Sequence, residues 1–310
     1  MGVPSRFGDV RGVEREPRGR RADRRFQFPP RPARDSDRTL ARRVSGESVV
    51  LAAVVSRIAI TRGVSATIND CELTHATRTP IDVALAREQH AAYESALASR
   101  GCEIRRIPAD DRYPDAVFIE DTAIVLDELA VITRPGAESR RGERDAVAVA
   151  LAEYRTLVRI EAPATIDGGD VLQLDDVLYV GRTPRTNGEG ITQLRELLAP
   201  YGYRVVAVNV DGCLHLKSAV TRVGVDALLM NRRWVSPSNF DGLRIIDVDH
   251  VEPSAANGLR IGNRVIFSEE FPRTLRKLEA AGIDVIAVPA GELAKAEGGV
   301  TCCSLLFRLT

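Results

Sequence analysis

The stretch "GDVLQLDDVLYVGRTPRTNGEGITQLRELLAPYGYRVVAVN", Gly169–Asn209, contains a hairpin, a helix and a further strand in succession. "GDVLQLDDVLYVG" alternates around an Asp-Asp turn, as a β-hairpin does. "NGEGITQLRELLAPYG" then carries Ile191, Leu194 and Leu198 at helical spacing and stops at Gly202, and "YRVVAVN" is a short apolar strand.

The same succession recurs along the chain. Helices are predicted over 82–101, 143–154 and 271–282 as well as 187–202, with Gly101 and Gly282 as further left-handed stops, and a weaker helical region lies near 236–240. Strands "CEIRRIP", "LVRIEAP", "YRVVAVN", "LRIIDVD" and "IDVIAVP" begin near Cys102, Leu157, Tyr203, Leu243 and Ile283, at intervals of about 40 to 55 residues, which suits one supersecondary unit per repeat. A hairpin follows each of the first four. The last, "TCCSLLFRL", lacks its partner strand, which "SRIAITR" near residue 60 can supply. Joining the two would close a ring of five ββαβ units with chemistry on its axis. Periodicity alone leaves an open α/β sandwich equally available.

Composition excludes several classes. The chain has 310 residues, is 44% hydrophobic and carries 43 basic against 43 acidic side chains, so it can bury a sizeable core and nothing in its balance favours nucleic acid or an anionic membrane. Residues 1–45 are Arg-rich with little apolar periodicity and are expected to be a disordered extension; a single catalytic domain is expected over 46–310. The run "VVLAAVV", Val49–Val55, is far short of the roughly 18 residues a membrane helix needs, and it leads into a strand without a clear cleavage site. Five widely spaced cysteines, with no CxxC and no Cys/His cluster, indicate neither a disulfide framework nor a zinc site, and a cytoplasmic setting fits.

Polar residues collect at strand ends. "YPDAVFIEDTA" places Asp115, Glu120 and Asp121 around an apolar "AVFI", read as a strand, and such carboxylates suit an arriving cation, although a solvated turn explains them as well. Arg134 ends an apolar strand and Arg185 precedes a helix; either can bind a carboxylate bidentately, whereas Arg140 and Arg141 read as solvated charges. In "IDGGDVL", Asp167 and Asp170 bracket two glycines that let backbone approach closely. "GCLHLKSAV" sets His215 in what reads as a hydrophobic strand, where a histidine is commonly just packed. At "EGGVTCCSLLF" successive strand side chains point to opposite faces, so one of Cys302 and Cys303 can react while the other packs. A cysteine, a histidine and an acid match a nucleophile, base and orienting group in kind.

Taken together, "PDAVFIEDTA", "ITRPGAESRRGE", "IDGGDVL", "RTN", "LHLKSAV" and "GGVTCCSLLF" resemble, in order and spacing, the dimethylarginine dimethylaminohydrolases over about residues 57–310. The resemblance implies the α/β fold of the guanidino-group-modifying superfamily, a five-bladed propeller of ββαβ units with pseudo-fivefold symmetry. It implies hydrolysis of dimethylarginine or monomethylarginine to citrulline and an amine through a covalent cysteine intermediate, with no cofactor and no metal. By that resemblance Cys302 is the nucleophile, His215 the proton donor and acceptor, and Asp167 its acidic partner. Glu120 and Asp121 hold the substrate's polar groups, Asp121 chiefly the guanidinium, with Asp115 near the α-amino group. Arg134 and Arg185 clamp the carboxylate, a flap with Leu73 covers the site, and backbone at Ala296 lines it. A homodimer is an assembly the resemblance admits. The thiol should be mostly protonated without substrate, because neighbouring carboxylates oppose a thiolate.

Arginine deiminases share this chemistry but insert a helical module that residues 121–302 lack. A hydroxyarginine hydrolase, an amidinotransferase or a noncatalytic binding propeller remain the alternatives.

Overall fold

Alternation along the middle strand of each repeat sets the architecture of the computed structural model, which describes residues 57–309 together with Gly2. β1 (Arg57–Arg62), α1 (Val83–Ser99) and β2 (Cys102–Ile107) come first. β3 (Ala123–Val125), β4 (Leu129–Ile132), α2 (Arg144–Leu151) and β5 (Thr156–Arg159) form the next unit, then β6 (Val171–Leu174), β7 (Val177–Arg182), α3 (Gly188–Leu198) and β8 (Arg204–Asn209). α4 (Leu216–Ala219) leads into β9 (Val220–Arg222), β10 (Ala227–Met230) and β11 (Arg244–Asp247). β12 (Gly258–Ile261), β13 (Arg264–Ser268), α5 (Pro272–Ala280) and β14 (Asp284–Val288) follow, and α6 (Gly291–Ala294) precedes β15 (Leu305–Arg308).

The strands form five three-stranded sheets, each with an antiparallel pair and a parallel third strand. β15 supplies the missing partner of β1, antiparallel with Arg57 opposite Arg308, so the two ends of the described chain complete one blade. The weak helical region of the unit containing β9–β11 is only a 3-10 turn, Pro237–Asn239.

Buried apolar residues fall into five cores, one in each gap between neighbouring sheets. β10 sends Leu228 and Met230 into one core and Ala227 and Leu229 into the next; β4 divides Leu129 and Val131 from Ala130 and Ile132 in the same way. Period-two alternation with both faces buried is why the middle strands read as unbroken apolar runs. Truncating one of these fully buried leucines to alanine costs about 2–5 kcal/mol.

The helices end where the sequence places their stops: Gly101, Gly202 and Gly282 adopt φ of 77°, 75° and 81°. Asp82 caps α1 by accepting from the amides of Ala84 and Leu85, and Asn187 caps α3 through the amide of Gly190. Among the described residues no helix is long and apolar enough to cross a membrane. The expected extension over 1–45 and the expected domain start at 46 lie outside the described residues.

Candidate active site

One place in every repeat carries the polar chemistry: the turn just before the strand nearest the axis. Glu120 and Asp121 precede β3, Asp167 precedes β6, His215 precedes β9, Asn257 precedes β12 and Cys302 precedes β15. Residues far apart in sequence therefore meet because the ring brings equivalent turns together.

The segment read as an "AVFI" strand is instead a turn followed by a 3-10 helix, Ile119–Thr122, with the amide of Phe118 donating to the carbonyl of Asp115. Ala116–Ile119 are buried as expected, but the coil sets Asp115 and Asp121 on the cleft and leaves Glu120 on the opposite side. His215 also lies outside any strand. It occupies the N-cap of α4 in an extended conformation, and the buried Asp170 fixes that helix start by accepting from the Leu216 amide at 3.0 Å. Cys302 and Cys303 sit in a turn too, closed by the Cys302 amide donating to the Gly299 carbonyl. Cys302 lines the cleft while Cys303 packs in the core between the first and last sheets, so the two diverge through a turn and not through strand alternation.

His215 Nε2 lies 3.0 Å from Asp167 Oδ2, and its Nδ1 lies 3.9 Å from Asp121 Oδ1. The other oxygen of Asp167 accepts the Gly136 amide at 2.9 Å, which fixes the carboxylate against the ring. Gly169 explains the paired glycines. Its amide donates to Asp121 Oδ1 at 2.9 Å, and a Cβ there would fall 2.7 Å from both that oxygen and His215 Nδ1. The donor atoms of Asp121, Asp167 and His215 lie within 4.8 Å of one another, a set with the chemistry to hold a divalent ion.

Arg140 corrects the sequence reading. It is buried, lines the cleft, donates to Asp121 Oδ2 at 2.6 Å and to both oxygens of Glu143, and reaches the carbonyls of Asp115 and Phe118. "ESRRGE" looks like a solvated turn because nothing local shows that the 115–121 coil packs over it. Arg185, Asp115 and Ala296 also line the cleft. Arg134, Leu73 and Glu120 are not among its lining residues. The Arg134 guanidinium donates to the Ala164 carbonyl, Leu73 packs against a core, and Glu120 turns to the other side of the axis, where it pairs with Lys217 at 2.5 Å and accepts from Thr301 at 2.9 Å.

Burial opposes charge on His215, but Asp121, Asp167 and Asp170 outweigh it and push its pKa up to about 9. Asp121 is held below the usual carboxylate range: burial works against its charge, and His215, Arg140 and the Gly169 amide overcome that. Burial first, then Glu120 and Asp121, push the Cys302 thiol up to about 12. Imidazolium and neutral thiol thus coexist at neutral pH. Alkylation of Cys302 by iodoacetamide is accordingly expected to rise with pH without a plateau below about pH 9, and added guanidinium ion should shift the rise downward. A ligand-free midpoint near or below about 8.5 would contradict this electrostatic picture.

The cleft is nearly shut. It encloses about 20 Å³, room for little more than one water. Over it lies the segment after Cys71, whose Thr74, His75 and Ala76 amides all donate to the Glu297 carboxylate at 2.8, 2.6 and 2.6 Å. Arg185 donates to Thr74 Oγ1, and Asp115 accepts the Glu72 amide. Glu297 itself adopts φ 60°. Both Glu297→Ala and Glu297→Gly are expected to raise KM about tenfold, about 1.4 kcal/mol, with kcat changed less than about threefold. Wild-type KM in Glu297→Gly alone would show that the backbone geometry matters and the carboxylate does not.

No family model matches the chain. It is similar to the N(G),N(G)-dimethylarginine dimethylaminohydrolase of Streptomyces coelicolor, 40% identical over 256 residues, covering 82% of this chain and 98% of that protein. The chain belongs to the dimethylarginine dimethylaminohydrolase family. The Pseudomonas aeruginosa dimethylarginine dimethylaminohydrolase is 39% identical over 228 residues, covering 73% of this chain and 90% of its own. A solved structure of that enzyme, a cysteine-to-serine mutant complexed with citrulline, aligns with a TM-score of 0.77 at 37% identity over 81% of this chain and 98% of the other. The dimethylarginine dimethylaminohydrolase fold explains why the five equivalent turns converge, and why Asp167, His215 and Cys302 come from three different blades.

Proposed function

We propose that this chain hydrolyses N-omega-methylated arginines, dimethylarginine foremost, to citrulline and the corresponding amine. Beside the family membership, the observation that carries the reading is that Asp121, His215 and Cys302 line one cleft, with the buried Asp167 held against His215.

In our assignment the guanidinium enters beside Asp121, whose carboxylate is available as an anion; its positive charge lets the Cys302 thiol release its proton to solvent and stabilises the thiolate that remains. The sulfur attacks the central guanidinium carbon. His215, already protonated at neutral pH, passes its proton from the nitrogen that Asp167 does not hold to the departing dimethylamine, leaving a thiouronium bond to Cys302. Water then gives a proton to the same nitrogen and attacks the carbon; as the carbonyl forms the C–S bond breaks, the sulfur takes up the hydroxyl proton to become a thiol again, and citrulline leaves. Asp167 keeps the ring in one tautomer and supports the imidazolium.

We assign the amino-acid head group to Asp115, Arg185 and the backbone near Ala296. Arg140 serves as the positioning residue that fixes Asp121, while Glu120 acts from behind the cleft by opposing a premature thiolate. Arg134 and Leu73 enter this assignment only if the flap and its neighbours rearrange when substrate binds. We place the reaction in a reducing cytoplasm, since all five cysteines are free, and take a homodimer as the assembly to test by solution mass.

Citrulline and dimethylamine released by the purified protein from dimethylarginine, monomethylarginine, arginine and hydroxyarginine test the proposal. Preference for the methylated substrates, with amine matching citrulline, is expected. Turnover of arginine alone would overturn the substrate, and inactivity on all four would overturn hydrolysis.

A further inference from the structure

The ring encloses a second cavity, of about 370 Å³, behind the catalytic turns. Each of the five axial strands gives it a wall, through Val125, Gln173, Arg222, Arg260 and Leu306 among others, and the Glu120–Lys217 pair and Thr301 form its floor. Because the catalytic residues precede these strands, the strands run away from the cleft, and their last residues form the far mouth.

That mouth is strongly basic over one contiguous arc. Arg222 ends β9, Arg260 is the penultimate residue of β12, Arg308 ends β15, and Arg57 faces Arg308 across the β1–β15 pair. Arg222 is satisfied by the Gly224 and Val225 carbonyls and by Asp175 at 3.0 Å. Arg260 has no hydrogen-bond or ion-pair partner among the described residues, although it lines the cavity and is half-buried. Burial, and after it the facing charges of Arg222, Arg308 and Arg57, lower its pKa, with Asp175 alone opposing. Four guanidinium groups against one carboxylate, itself already paired, leave a field that attracts an anion at the mouth of a partly apolar cavity.

We propose that this mouth is a binding site for a small phosphomonoester, with its dianionic group on Arg260 and the neighbouring guanidinium groups and its body against Val125 and Leu306. Arginine forks suit a group with several equivalent oxygens, and a dianion neutralises more of the arc than a carboxylate does. The site is independent of the reaction in the cleft.

Calorimetric titration of the full chain with phenyl phosphate, at low ionic strength, tests it. One site per chain is expected, weakened at least tenfold in Arg260→Gln and unchanged in Arg185→Ala, whose lost guanidinium belongs to the catalytic cleft. Arg260→Gln should keep the wild-type unfolding midpoint and hydrolytic rate, which separates loss of the site from loss of the fold. Absence of binding, binding that survives Arg260→Gln, or binding that disappears in Arg185→Ala would overturn the assignment.

Discussion

Cys302→Ser is expected to lower kcat by at least about 10⁴-fold, whereas Cys303→Ser should stay within about tenfold of wild type. The hydroxyl is a far weaker nucleophile at neutral pH, and nothing at the cleft replaces it: the only other cysteine in the turn is 3% exposed and packs in a core. Cys303→Ser buries a hydroxyl where a thiol sat near the Gly299 carbonyl at 3.6 Å, so its effect belongs to stability, of order 1–2 kcal/mol. Steady-state kinetics and thermal unfolding of both variants separate the two roles. Equal loss of turnover in each would mean that the turn is structural and the nucleophile lies elsewhere.

Asp167→Asn should lower kcat by about 10²- to 10⁴-fold with little change in unfolding midpoint. The amide keeps the shape of the carboxylate and can still meet the Gly136 amide through its oxygen, but it no longer supports an imidazolium at 3.0 Å. The sign of the pH effect follows. Because the folded pKa of His215, about 9, lies above its ordinary 6.5, the stabilisation from its charge is complete below about pH 6.5 and disappears as pH rises through about 9. In Asp167→Asn the basic limb of kcat/KM should therefore move to lower pH. A variant with full activity and an unmoved basic limb would reduce Asp167 to a packing residue.

Much of this was legible before any coordinates. The hairpin, helix and strand of Gly169–Asn209 recur with their glycine stops, and the unpaired "TCCSLLFRL" called for "SRIAITR", which the Arg57–Arg308 register bears out. What stayed hidden depends on contacts across the ring. Arg140 reads as solvated because its partners Asp121 and Phe118 lie on a coil that local pattern mistakes for a strand. His215 reads as a strand residue because α4 is a single turn, pinned by Asp170 from another blade. Glu120 and Asp121 are adjacent in sequence, yet one faces the far cavity and the other the cleft. Periodicity specifies elements, but which end of an axis a short side chain faces is set by the turn that precedes the strand.

The completed blade also sets a timetable. β1 is synthesised first among the described strands, and its antiparallel partner β15 last, while Cys302 lies in the turn leading into β15. A growing chain on the ribosome can assemble the intervening blades, since each is local in sequence, but the thiol takes its place only when the final strand closes the circle. Completion of the cleft and topological closure thus arrive together, and a chain cut short before Leu305 keeps Cys302 in its sequence while losing the strand that holds it at the axis.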